Sequence, residues 1–370
     1  MKKLFFMMAL ALLCACQNDD TDFSAFTSYT GIVTTIYINY NGASVSVSGD
    51  TQGVVSARGA DVTVNSQYLD SLLLVLSGTT SDGSLLVYRT RKYGIQLNGV
   101  SITNPDGPAI NNQCSKSLYV VCADGTVNTL TDGTAYTDRA YDQKGTLFSE
   151  GQIYFSGAGT LNVNANSKNA IACDDYITLE GDAVISCSVA SMASNGIKVN
   201  DGMFISGGRL TIDVAADGGR GIRCDARTVV TGGTVDISTT GNCVIETVDG
   251  VADTTSAACI RCDSLFTMSG GTMILRSSGD GGKGIRCNEN IELCGGSLTV
   301  TTTGDNNVGK PKALKSDTGI IISGGSLLAT VSKSWACDNG IESEDPEDHL
   351  TILNTPKVRH VDKKYVKVTF

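Results

Sequence analysis

GIRCDA at 221–226, CIRCDS at 259–264 and GIRCNE at 284–289 repeat Ile-Arg-Cys three times, each time followed by Asp or Asn. Looser copies flank them: AIACDD from Ala170, GIKVND from Gly196, ALKSDT from Ala313 and GIESED from Gly340. From start to start the copies step by 26, 25, 38, 25, 29 and 27 residues. A second motif keeps the same beat. ISGGRLTI, VTGGTVDI, MSGGTMIL, LCGGSLTV and ISGGSLLA begin their glycine pairs at Gly207, Gly232, Gly270, Gly295 and Gly324. Two motifs in phase, at a period in the twenties, are the sequence sign of a solenoid.

The residues inside each unit select the solenoid. Each unit holds short runs of Val, Ile, Leu and Thr that alternate apolar with polar and are punctuated by Gly, Asn and Asp, which is strand and turn chemistry of period 2. No stretch of the mature chain carries a helical apolar stripe of four turns. The chain has 42 Gly and only 5 Pro, a balance suited to tight corners. The leucine-rich-repeat line is absent, and a propeller blade needs a unit of roughly 40 residues. The expected fold is all-β: a right-handed parallel β-helix with coils of ~25 residues.

In such a coil equivalent residues stack about 4.8 Å apart and side chains alternate in and out. Ile222 and Cys224 then face inward, Arg223 and Asp225 outward. Stacking predicts an inner ladder of Cys173, Val199, Cys224, Cys262, Cys287, Ser316 and Ser343. Outside it predicts a basic row, Lys198, Arg223, Arg261, Arg286 and Lys315. Beside that runs an acidic or amide row of Asp174, Asn200, Asp225, Asp263, Asn288, Asp317 and Glu344.

The 370 residues are 41% hydrophobic but only 6% aromatic, as a core of small stacked side chains requires, and the net charge is −10. Acidity without a basic block argues against nucleic acid as a partner. MKKLFFMMALALLCACQNDD opens with two lysines and an apolar run too short for a stable span. It reads as a lipoprotein signal peptide over 1–15, leaving Cys16 as the lipidated residue and 16–30 as a tether. QNDD resembles the acidic signal that sends some lipoproteins of anaerobic Gram-negative bacteria to the outer surface, which implies an outer-membrane, surface-exposed lipoprotein touching the membrane through its lipid alone. A monomer is expected. Of 13 cysteines, 11 remain once Cys14 and Cys16 are set aside. In-register ladder neighbours lie outside comfortable disulfide geometry, so the inner cysteines read as reduced packing thiols.

The β-helix is expected over 31–345, less regular before 170, with 346–370 as a terminal cap. The 38-residue step carries 13 extra residues, expected as a loop between Thr239 and Ala258 with Cys243 and Cys259 as a candidate disulfide.

The repeat GIK-x-x-D…I-x-GG-x-[LV]-x-[IV], with KGTLFSEGQIYFSGAGTLNV and the DD of AIACDDYITLEG, resembles a family of bacterial carbohydrate-binding right-handed β-helix proteins. The likeness covers about 100–345. It implies an exported protein shaped like a polysaccharide lyase, binding cellulose or acidic sugars such as polygalacturonate, and carrying calcium. This chain departs from the family in its enrichment in arginine and cysteine.

Asp225 stacked on Asp263 needs a cation between. Calcium, held by Asp225, Asp263, Asn288 and Asp317, is one solution; salt bridges from the basic row, two residues away along each strand, are the other. The basic row is the candidate ligand face, because a guanidinium fork matches a carboxylate. Trp335, the only tryptophan, reads as a sugar-stacking platform or a plug near the cap. Catalysis has little support: both histidines, His349 and His360, fall in the cap, and Asp174 and Asp175 point apart in an extended strand. The expected function is non-catalytic binding of an acidic or β-linked polysaccharide; a calcium-dependent polysaccharide lyase and a structural adhesin are the alternatives.

Overall fold

The computed structural model describes residues 34–67, 71–191, 194–248, 250–331, 341–343, 350–361 and 364–370. All regular elements among them are β-strands. Each coil of the regular part contributes three. Arg220–Cys224, Arg227–Val230 and Thr234–Thr239 form one coil; Ala258–Cys262, Phe266–Met268 and Thr272–Ser277 lie over them in the next. The pairs Ile222↔Ile260, Thr228↔Phe266 and Val235↔Met273 fix the register, all of it parallel. The chain is a right-handed parallel β-helix, the sense that parallel crossovers take.

One face is a sheet of twelve strands, from Val55–Arg58 to Ile341–Ser343, in which only the first pair is antiparallel. It carries the Ile-Arg-Cys motif. The inner ladder forms as the spacing predicts: Cys173↔Val199↔Cys224↔Cys262↔Cys287↔Ser316↔Ser343 pair in unbroken register. From Cys173 to Ser316 every member is at most 1% exposed. Ile171, Ile197, Ile222, Ile260, Ile285 and Leu314 make a second buried ladder two residues earlier. Small and branched residues win these positions because each inward side chain packs between its copies above and below.

The glycines of the two motifs have different reasons. A Cβ on Gly221 would lie 2.3 Å from Ile237 Cγ2 and 2.5 Å from the Cys259 carbonyl oxygen, so only hydrogen fits. The second glycine of each Gly-Gly pair turns a corner: Gly233 has φ 76° and Gly271 φ 78°, which other residues rarely adopt.

The extra residues of the long coil form an antiparallel hairpin, Val244–Val248 with Val251–Thr255, which pairs with no coil strand. Cys243 and Cys259 are free thiols, against the expected disulfide. Cys259 turns inward from strand Ala258–Cys262 and donates to the Arg276 carbonyl at 3.2 Å; Cys243 is held by its own N–H on the Asp280 carbonyl at 2.8 Å. The ladder cysteines are free as well. At the C-terminal end, Tyr365–Thr369 runs antiparallel to both Ser326–Val331 and Val358–Val361, so the last coil's edge is paired rather than open. The parallel stack itself continues to Leu350–Ile352.

Candidate functional site

The outward row on the twelve-stranded face follows the same register. It reads Thr63, Leu86, Asn111, Phe148, Ala172, Lys198, Arg223, Arg261, Arg286 and Lys315. The first five of these are uncharged and the next five basic, and the backbone register then pairs Lys315 with Glu342 in the last strand. The acidic and amide row stands at the adjoining corner, locked by the backbone. Asp225 N donates to Val199 O at 3.0 Å, Asp263 N to Cys224 O at 3.0 Å, Asn288 N to Cys262 O at 3.3 Å and Asp317 N to Cys287 O at 3.2 Å.

The two rows are laced together both between coils and within single coils. Arg223 clamps Asp263 of the next coil with both terminal nitrogens, at 2.7 and 2.6 Å, and also reaches Asp225 at 2.9 Å. Lys198 pairs with Asp225, again one coil on. Arg261 meets Asp263 at 3.4 Å and Lys315 meets Asp317 at 3.2 Å. Burial works to raise the Asp263 carboxyl, but the hydrogen bonds from Arg223 and the charges of Arg223 and Arg261 outweigh it and hold it below the usual carboxylate range. Burial likewise works against the Arg223 charge, and the bonds to Asp263 more than offset it. For Arg261 the balance falls the other way: burial and then the neighbouring charges of Arg223 and Arg286 lower its pKa.

The set Asp225, Asp263, Asn288 and Asp317 does not fit calcium. Its three carboxylates already face lysine or arginine, and a dication there would sit against the whole basic row. Among the described residues one other trio, Asp142, Glu150 and Asp174, has ligand atoms within 4.8 Å of one another. The Lys144 ammonium fills it, 2.7 Å from Asp142 and 2.5 Å from Asp174. Asp174 and Asp175 do diverge: Asp175 takes Gln152 and the Tyr176 N–H instead. Trp335, Cys16, His349 and Glu344 lie outside the described residues.

Sequence reasoning missed three cations. Lys144 and Lys168, with Lys198, line a groove of about 550 Å³ at the N-terminal end of the basic row, together with Asn169, Asp174 and Asn200. Lys144 opens the KGTLFSEG segment, outside the repeated Ile-Arg-Cys motif. Arg220 starts strand Arg220–Cys224 and stands among Arg223, Arg261 and Arg286. Burial first, then the charges of those three arginines, pushes its pKa down to about 10. Its Nε and that of Arg286 are buried without a hydrogen-bond partner. Arg220 stands beside Arg223 although the two are three residues apart on one strand, a spacing that simple alternation assigns to opposite faces.

The family model of carbohydrate-binding domain-containing proteins matches residues 58–332, most of the parallel stack. This chain belongs to that family. A carbohydrate-binding domain-containing protein of Acetivibrio thermocellus is 31% identical over 132 residues, 34% of this chain and 44% of the relative. The matched region thus spans less than half of that relative's length. Among solved structures, the polysaccharide lyase-like protein from C. thermocellum, in a gadolinium derivative, superposes with a TM-score of 0.57 at 24% identity, over 72% of this chain and 100% of that one. That likeness is one of fold. Membership of that family supports carbohydrate binding.

Proposed function

We propose that the protein binds an acidic polysaccharide without cleaving it, through the face that carries Lys198, Arg223, Arg261, Arg286 and Lys315 and extends to Lys144 and Lys168. The observation that carries this reading is the register. The backbone holds five cations in one row at coil spacing, and the acids beside them leave part of that charge unpaired. A uronate chain lying across the coils meets a cationic group at each step. Retention on polygalacturonate tests it: the Arg223/Arg261/Arg286→Ala triple variant, still folded, is expected to lose retention. Binding equal to the parent would move the ligand site elsewhere.

Lyase chemistry is less well supported. A β-elimination base must be unprotonated, whereas Lys144 is held charged: burial works against it, but its bonds to Asp142 and Asp174 raise its pKa. Incubation with polygalacturonate is expected to yield no unsaturated or new reducing ends. Calcium has no part in this reading of the row, and a chelator is expected to leave retention unchanged. We read the N-terminal stretch as the signal and tether of a surface lipoprotein acylated at Cys16. Loss of lipid labelling in Cys16→Ser tests that.

A further inference from the structure

The charge lattice has one coil where it fails to close. Asp263 shows what closure means. It sits between Arg223 of the preceding coil, which binds it with two hydrogen bonds at 2.7 and 2.6 Å, and Arg261 of its own coil, at 3.4 Å. One coil further, Arg261 pairs in register with Arg286, and the residue in the place of Asp263 is Asn288. The backbone repeats, since Asn288 N bonds the Cys262 carbonyl as Asp263 N bonds that of Cys224. The carboxylate does not. Arg286 therefore has no ion pair with any described residue, and its Nε is buried unpartnered. Arg261 is left to share Asp263 with Arg223. The other amide of the row makes no such gap: Lys198 donates to Asn200 Oδ1 at 3.0 Å and is already paired with Asp225.

The nearby acids do not fill the space. Glu289 accepts from Ser264 Oγ at 2.9 Å, Glu246 on the hairpin accepts from Thr255 Oγ1 at 2.8 Å, and Asp317 is taken by Lys315. Arg220, with its own unpartnered Nε, adds a further positive charge beside the gap. A partly buried guanidinium without a counter-charge is costly, and a ligand anion removes that cost.

We propose that Asn288 is the specificity-determining residue of the face: a uronate carboxylate of the ligand docks between Arg261 and Arg286, in the lattice position that Asp263 fills one coil earlier. This rests on the reading of the basic face as the glycan site. The carboxylate follows from the precedent on the same face, where a planar carboxylate spans two arginines of successive coils. The Asn288 side chain brings no competing charge, and its role is to leave the position without a carboxylate. One open position among filled ones gives a single strong subsite and so fixes the frame of the bound chain.

Asn288→Asp supplies the missing carboxylate from the protein itself. Its affinity for oligogalacturonides, measured by calorimetry, is expected to fall at least tenfold while the thermal midpoint holds or rises. Asn288→Ala, which adds no charge, is expected to stay within about threefold of the parent. Asp263→Asn opens a second gap and is expected to tighten binding; a folded Asp263→Asn variant that binds no better overturns the proposal. Dextran sulfate, run in parallel, separates carboxylate from general polyanion attraction: an equal loss toward both polymers in Asn288→Asp overturns the carboxylate assignment. Parental binding by Asn288→Asp, with binding lost in the triple arginine variant, overturns the gap and leaves the face. Parental binding by both overturns the face, and the gap with it.

Discussion

Cys224 illustrates how far the fold constrains a single side chain. It is fully buried, its thiol donates to the Arg227 carbonyl at 3.2 Å, and burial pushes its pKa up to about 12. Cys122, Cys187 and Cys259 are raised to about 12 by the same cause. A thiol so raised is not a nucleophile at neutral pH. Of the ten described cysteines only Cys294 is exposed, so iodoacetamide at pH 8 is expected to label Cys294 alone among them until the chain is unfolded; mass mapping reads the result. Cys224→Arg buries a charge with no partner inside the coil and is expected to cost roughly 3–5 kcal/mol in denaturant unfolding. Asp263 gives a pH dependence. Its folded-state pKa is depressed, so its stabilisation is present above the unfolded-state value near ~3.9 and is lost as pH falls through the folded value. Wild-type stability is expected to fall more steeply below about pH 4 than that of Asp263→Asn, as thermal midpoints against pH would show.

At the scale of elements, strands Arg220–Cys224 and Lys283–Cys287 hold glycine in second place, where the strand between them, Ala258–Cys262, holds Cys259; at Gly221 the neighbouring coil leaves no room for a Cβ. Gly284 repeats the constraint, with a Cβ placed 2.2 Å from Val300 Cγ1 and 2.3 Å from the Ala313 carbonyl. Gly221→Ala is expected to destabilise by about 1–3 kcal/mol through overpacking, measured by urea unfolding; an unchanged midpoint would show that the neighbouring coil yields. The hairpin at 244–255 was legible as an insertion but not as strands. Its signal was present: Asp249-Gly250 is a dipeptide favoured by two-residue hairpins, and Gly250 has φ 80°. An element that departs from the repeat must be read from turn chemistry, because the period says nothing about it.

Across the whole molecule, affinity has to come from several modest contacts acting on one polymer. Each partly exposed charge contributes about 0.5–1 kcal/mol, and contacts joined along one chain add through effective concentration. Affinity for oligogalacturonides is therefore expected to rise with chain length and to weaken with added salt; a flat response to either would argue against a face of stacked cations. The row's length is set by the backbone, since coil after coil repeats one register.

What the amino acids determined by themselves was the period, the inside and the outside. Two motifs in phase specify the coil, and alternation sends Ile222 and Cys224 inward and Arg223 outward, because strand geometry couples sequence parity to face. Register followed, since a slip by one residue would bury the arginines. What only the tertiary structure decided was which charges meet. Arg223 binds Asp263, forty positions away, more tightly than Asp225 beside it, because a long guanidinium reaches the next coil, one strand spacing off, with better fork geometry than its own strand allows. That choice leaves Arg286 without a carboxylate at Asn288. It also brings Arg220 and Lys144, which lie outside the repeated motif, into reach of the row, for proximity there is set by the winding of the coils and not by distance along the chain.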